Sequence, residues 1–138
     1  MNKQSLCPCG SRRTYGQCCA PWHEGRRPAP TAEALMRSRY VAFALGLADY
    51  LVATHHPDFR EPDERKALQQ GFRGVRWLGL EILATAAGGE ADDTGEVEFR
   101  ARYRARDAFH ALHERSRFSR VDGRWMYRDG DLFDEDGD

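Results

Sequence analysis

The chain has 138 residues, 41% of them apolar and 31% charged, with a formal net charge of −1. That length fits one domain plus a short appended module and can bury a core without a disulfide lattice. It holds no apolar run near the roughly 18 to 20 residues that cross a bilayer, and its near-neutral charge argues against a chain coated all round by nucleic acid.

The charge is unevenly spread. Residues 1–30 carry Lys3, Arg12, Arg13, Arg26 and Arg27 against Glu24 alone, whereas 129–138 carry six acidic residues and no basic one. The opening stretch MNKQSLCPCGS lacks the apolar centre of a secretory signal, so the cytoplasm is the expected compartment.

All four cysteines fall within C7-P-C9-G-S-R-R-T-Y-G-Q-C18-C19. Disulfides here would close only tiny loops, in a chain without an export signal. Four thiolates close in sequence suit a tetrahedral metal, so Cys7, Cys9, Cys18 and Cys19 are the expected ligands. Zinc is the expected ion, and iron tolerates the same donors. Pro8 stiffens the first pair, Gly10 permits a positive φ, and Lys3, Arg12 and Arg13 can offset the thiolate charge. His23 is a nearby alternative ligand, expected outside the metal's shell. Four protein ligands leave no open position, so the metal is expected to hold residues 5–20 together rather than do chemistry.

CPCGSRRTYGQCC resembles the SEC-C motif, a small zinc module also found at the C-terminus of the SecA translocation ATPase. The continuation APWHEGRRPAPTAEALMRSRYVAF is similar to the YchJ family of bacterial proteins, and that similarity extends to about residue 133. The resemblance implies an N-terminal zinc module and linker over 1–30. It further implies a nuclear-transport-factor-2-like α+β cone over 31–133, with 134–138 as an acidic tail. Some family members carry a second SEC-C module at the C-terminus, whereas this chain runs into DGDLFDEDGD without cysteine. The SEC-C resemblance implies a protein or ribosome partner.

Residues 20–30 hold three prolines and a glycine and read as a linker packed by Trp22. Thr31 is a plausible N-cap with Glu33 in the first turn, and Met36, Tyr40, Phe43, Leu47 and Leu51 recur at helical spacing. Gly46 divides this stripe into two helices, the second over 47–54, and His55-His56-Pro57 ends it. Residues 61–72 predict a third, more polar helix. After Gly74 the period becomes two, with predicted strands over 77–83, 96–106, 109–121 and 124–128. Asp107-Ala108 forms the tight link between the middle pair, and Asp122-Gly123 is a hairpin signal between the last two. Helices first and a meander afterwards predict an α+β fold, a curved four-stranded antiparallel sheet covered by the helices.

Alternation places Val97, Phe99, Ala101 and Tyr103 on the inner face, with Leu112, Glu114, Ser116, Phe118, Trp125 and Tyr127 from the last two strands. A bulge would flip part of this set. Tyr40, Phe99, Tyr103, Glu114, Ser116, Phe118, Trp125 and Tyr127 are therefore the expected pocket. A small hydrophobic ligand is its expected occupant. A carboxylate on an aromatic concave face is a common arrangement for general acid–base work, so Glu114, helped by His55 at a helix end, is the catalytic candidate. Pairing of Glu114 with Arg120 or Arg39 is the plainer alternative. The cone fold serves isomerases, dehydratases and binding modules alike, so it does not choose among them.

On the outer face Arg100, Arg102, Arg104 and Arg106 form a row, expected to be widened by Arg115, Arg117, Arg124 and Arg128. RNA phosphates, the acidic tail folding back, or a homodimer contact could neutralise it, as could solvent alone. The leading functional expectation is a non-enzymatic binding or adaptor protein with a structural zinc site. An isomerase, dehydratase or hydrolase and an RNA-binding protein are the alternatives.

Overall fold

The structure, a computed structural model, describes residues 2–133; Met1 and the acidic segment 134–138 lie outside the described residues. Four helices precede four strands: α1 (Ala20–His23), α2 (Ala32–Leu45), α3 (Ala48–Ala53), α4 (Glu64–Gly71), then β1 (Val75–Ala87), β2 (Thr94–Ala105), β3 (Ala108–Val121) and β4 (Arg124–Phe133). The strands form one antiparallel meander in the order β1-β2-β3-β4. This is the α+β cone: an open curved sheet with the helices against its inner face.

Local chemistry sets most boundaries. The Thr31 side chain accepts from the Ala34 N–H at 3.0 Å, satisfying one of the free donors of the first turn of α2. Gly46 ends that helix at φ 75°, a left-handed position that costs a glycine little. The predicted linker is partly helical: Pro21, fixed in φ, opens the single turn α1 directly after Cys19.

The Asp122-Gly123 hairpin sets Val121 opposite Arg124 and Arg120 opposite Trp125. Its partner hairpin turns at Arg106-Asp107, one residue earlier than expected, with both residues at positive φ. All four strands exceed their predicted lengths, the middle two by one residue each and the outer two by five or more. β1 begins at Val75 and continues to Ala87, and β4 runs on through Asp129-Gly130-Asp131 to Phe133, because those aspartates find Arg117 across the ladder. Register shifts at Leu78, Leu83 and Arg128 bend the sheet.

The core lies between α2 and the concave face. Leu35, Val41, Val97 and Phe118 are fully buried there. Removing one such aliphatic side chain typically costs about 2–5 kcal/mol. Helix α2 meets the sheet edge at a glycine pair: the Ala32 N–H donates to the Gly88 carbonyl at 2.9 Å, while a Cβ on Gly95 would fall 2.7 Å from Gly88 N. The two glycines let the β1–β2 ends close beneath the helix.

Candidate functional site

The four thiols are brought together by a short looped hairpin. Leu6 bridges Thr14, the Cys7 N–H donates to the Arg13 carbonyl at 2.8 Å, and the Gly16 N–H to the Lys3 carbonyl at 2.9 Å. Gly10 sits at φ 83°, whereas Gly16 serves close approach, since a Cβ there would lie 3.0 Å from Lys3 Cβ. All four sulfurs lie within 4.8 Å of one another and all four cysteines are buried. The Cys9–Cys18 and Cys18–Cys19 sulfurs are 3.6 and 3.9 Å apart. A tetrahedron with metal–sulfur bonds of about 2.3 Å has edges of about 3.8 Å, so the donor set fits one metal ion. Such a cluster can hold a metal.

The hydrogen bonds within the cluster set its thiols apart. Hydrogen bonds from Cys19 and Cys7 pull the Cys9 thiol far below the ordinary range. Its bonds to Cys7 and Cys9, with burial, push Cys19 the other way. Metal binding therefore displaces protons.

His23 stands outside the sulfur cluster and ties it to the cone. Its Nε2 lies 2.8 Å from the Ser38 carbonyl, which can only accept, so Nε2 carries the proton. Nδ1 then accepts from the Tyr15 hydroxyl at 2.7 Å. Burial pushes the Tyr15 phenol up to about 12, which keeps that proton in place. Burial holds His23 below the usual imidazole range, overcoming the opposing pull of the Ser38 carbonyl. The His23 ring also packs edge-on against Tyr50, whose hydroxyl donates to Ser38 Oγ at 2.7 Å. Arg37 adds a second tie, donating to the Cys9 carbonyl at 2.6 Å.

Most of the expected cone pocket is solid. Tyr40, Phe99, Ser116, Phe118 and Trp125 are buried in the core. Glu114 is half-buried, and its Oε2 accepts from Ser116 Oγ at 2.6 Å and from the Tyr127 hydroxyl at 3.0 Å. Gly130 makes room for that carboxylate, since a Cβ there would lie 2.8 Å from Glu114 Cδ. Arg39 does not touch Glu114. It stacks over the Tyr127 ring at 4.8 Å and donates to the Leu51 carbonyl and Thr54 Oγ1. Arg120 is turned away, stacking over Trp125 and donating to the carbonyls of Asp92, Gly123 and Glu90. His55 binds Glu64 at 2.6 Å and packs on Tyr127.

Open space lies instead toward α4, as a cavity of about 500 Å³ walled by Phe43, Phe72, Trp77, Tyr103 and Leu112. Of the eight expected pocket residues, Tyr103 alone lines it. Glu64, Ala67, Leu68, Gly71 and Phe72 supply the helical wall. Their spacing of three and four was a readable signal for one helix face, obscured by the polar composition of the segment. A smaller cavity of about 340 Å³ lies between the linker and the cone, against Trp22, Arg27, Tyr50 and Trp125.

The outer sheet face is a mosaic of both charges. Arg100 pairs with Glu81 at 3.2 Å, Arg115 with Glu98 at 2.9 Å, and Arg117 with Asp129 at 2.7 Å and Asp131 at 2.8 Å. Arg128, at the bulge, leaves the row and stacks over Phe59. His113 joins the mosaic through Glu98, while His110 stacks on Tyr103, so the two histidines serve opposite faces. Among the described residues no helix is long and apolar enough to cross a membrane.

Residues 31–130 match the family described as "YchJ, middle NTF2-like domain", and residues 5–21 match the SEC-C motif. A UPF0225 protein of Streptomyces coelicolor is 53% identical over 128 residues, covering 93% of this chain and 96% of its own. A SEC-C motif containing protein from Rhodopseudomonas palustris, known from a solution structure, superposes with a TM-score of 0.83 at 38% identity, over 93% of this chain and 98% of that one. An LEH-like epoxide hydrolase of M. tuberculosis shares the fold alone, with a TM-score of 0.53 and 14% identity over 72% of this chain and 80% of its own.

Proposed function

The chain belongs to the UPF0225 family of YchJ-like proteins, and from that premise we propose that it is a zinc-built, non-enzymatic adaptor. The observation that carries this reading is the thiol cluster: four buried sulfurs within 4.8 Å of one another, already anchored to the cone through His23 and Arg37. Cys7, Cys9, Cys18 and Cys19 would hold Zn²⁺, which supplies charge neutralisation and a cross-link between the loops. A four-thiolate site has no position for a substrate, so the metal's contribution is shape. Zinc suits the role because it has no redox chemistry and accepts thiolates readily; reduced thiols of this kind suit the cytoplasm.

The loops that the metal gathers expose Arg12 and Arg13 beside Leu6, which is 65% accessible. A basic surface with an apolar centre fits an acidic protein surface or ribosomal phosphate. The filled interior around Phe99, Phe118 and Trp125 and the engagement of Glu114 by Ser116 and Tyr127 favour recognition over catalysis at Glu114.

The test compares metal-loaded wild type with an Arg12→Glu/Arg13→Glu variant in ribosome co-sedimentation and in protein capture. The reading expects a partner that the wild type retains and the variant loses while keeping its metal. If no partner depends on these arginines, the adaptor reading is wrong.

A further inference from the structure

The cavity beside α4 has a chemistry that the metal module does not explain. Its volume of about 500 Å³ is that of a small-molecule site. Trp77 and Tyr103 stand 5.0 Å apart at 50°, and Phe43 lies 6.2 Å from both Trp77 and Phe72, so aromatic surface lines the interior. Three carboxylates, Glu61, Asp63 and Glu64, border this space, and no Lys, Arg or His lines it. Glu64 is held in place by His55 at 2.6 Å. The side chains of Glu61 and Asp63 are exposed and pair with no cation among the described residues.

That asymmetry stands out in this chain. Arg100, Arg102, Arg104, Arg115, Arg117 and Arg120 of the sheet each lie beside an acid, whereas Glu61 and Asp63 on this rim have no matching cation among the described residues. Aromatic faces present negative charge density and carboxylates add to it, so the cavity attracts positive charge and repels anions. Apolar walls select a ligand with an apolar body. We propose that this cavity binds an amphiphilic organic cation, an amine or quaternary ammonium carried on a flat apolar group. The body packs among Trp77, Tyr103, Phe43 and Phe72, and the ammonium lies toward Glu61, Asp63 and Glu64. None of these residues belongs to the metal module, so this proposal and the adaptor reading fail independently.

Three probes of one shape and different charge test it: tryptamine, tryptophol and indole-3-propionate, titrated at pH 7 into the isotopically labelled full chain and followed by amide and indole NMR shifts. Tryptamine is expected to shift the Trp77 indole and the Tyr103 and Leu112 amides saturably. It should bind about threefold to tenfold tighter than tryptophol, with indole-3-propionate weakest. A Glu61→Gln/Asp63→Asn variant, altered only at exposed positions, should weaken tryptamine binding severalfold and so reduce the preference for amine over alcohol. Equal binding of amine and alcohol to the wild type would overturn the proposal. So would a preference undiminished in the variant, shifts centred away from Trp77, or no shift with any probe.

Discussion

Replacing His23 by alanine separates an anchoring residue from a metal ligand. The ring accepts from Tyr15 and donates to the Ser38 carbonyl, and it packs on Tyr50 at 4.8 Å. Two hydrogen bonds at about 1 kcal/mol each, with a further contribution of about 1 kcal/mol from lost ring packing, give a destabilisation of about 3 kcal/mol. For a chain of this size that lowers Tm by roughly 6–12 °C. Denaturant unfolding of the metal-loaded protein reads the change, and metal content is measured on the same samples. The metal should stay, because the sulfur cluster is complete without His23. Tyr15→Phe removes one of the two bonds, and the double variant should show a coupling of about 1 kcal/mol. A loss below about 0.5 kcal/mol in His23→Ala would refute the anchoring argument, and loss of the metal would show that the histidine is a ligand.

Three other outcomes follow from the same geometry. His23 is depressed by burial, so the folded state binds its proton less well than the unfolded chain; its stabilising contribution is complete above about pH 6.5 and declines as pH falls below that value. The stability gap between wild type and His23→Ala should therefore narrow from pH 7.5 toward pH 5 in parallel denaturation series. Gly95→Ala forces a Cβ against Gly88 and should cost about 1–3 kcal/mol by urea unfolding, whereas a neutral result would mean the α2 end is not closed as described. Asp129→Asn/Asp131→Asn leaves Arg117 unmatched and should increase retention on heparin; unchanged retention would mean the mosaic does not restrain the arginine face.

The parts of this molecule that were legible in its sequence are those set by local rules. Four cysteines within thirteen residues announce one cluster, Thr31 and Gly46 bound a helix, and Asp122-Gly123 fixes a hairpin register. What escaped depends on partners distant in sequence. The Asp129-Gly130-Asp131 stretch lies past the predicted end of the last strand until Arg117 is placed beside it. The extra residues at Leu78, Leu83 and Arg128 leave no mark in an alternating pattern, yet they bend the sheet and remove Arg128 from its row. Inner-face alternation placed Phe118 and Trp125 correctly but could not reveal that α2 fills the space above them. The opening lies at α4, whose few apolar residues were hidden among charges.

The proposed zinc site is the premise of the adaptor role, and elemental analysis of protein purified without added metal tests it most directly. Wild type should carry about one zinc per chain, and Cys18→Ser/Cys19→Ser should carry none. A wild-type chain without metal, one holding iron, or a variant that keeps its zinc would contradict the structural zinc site at the centre of this account.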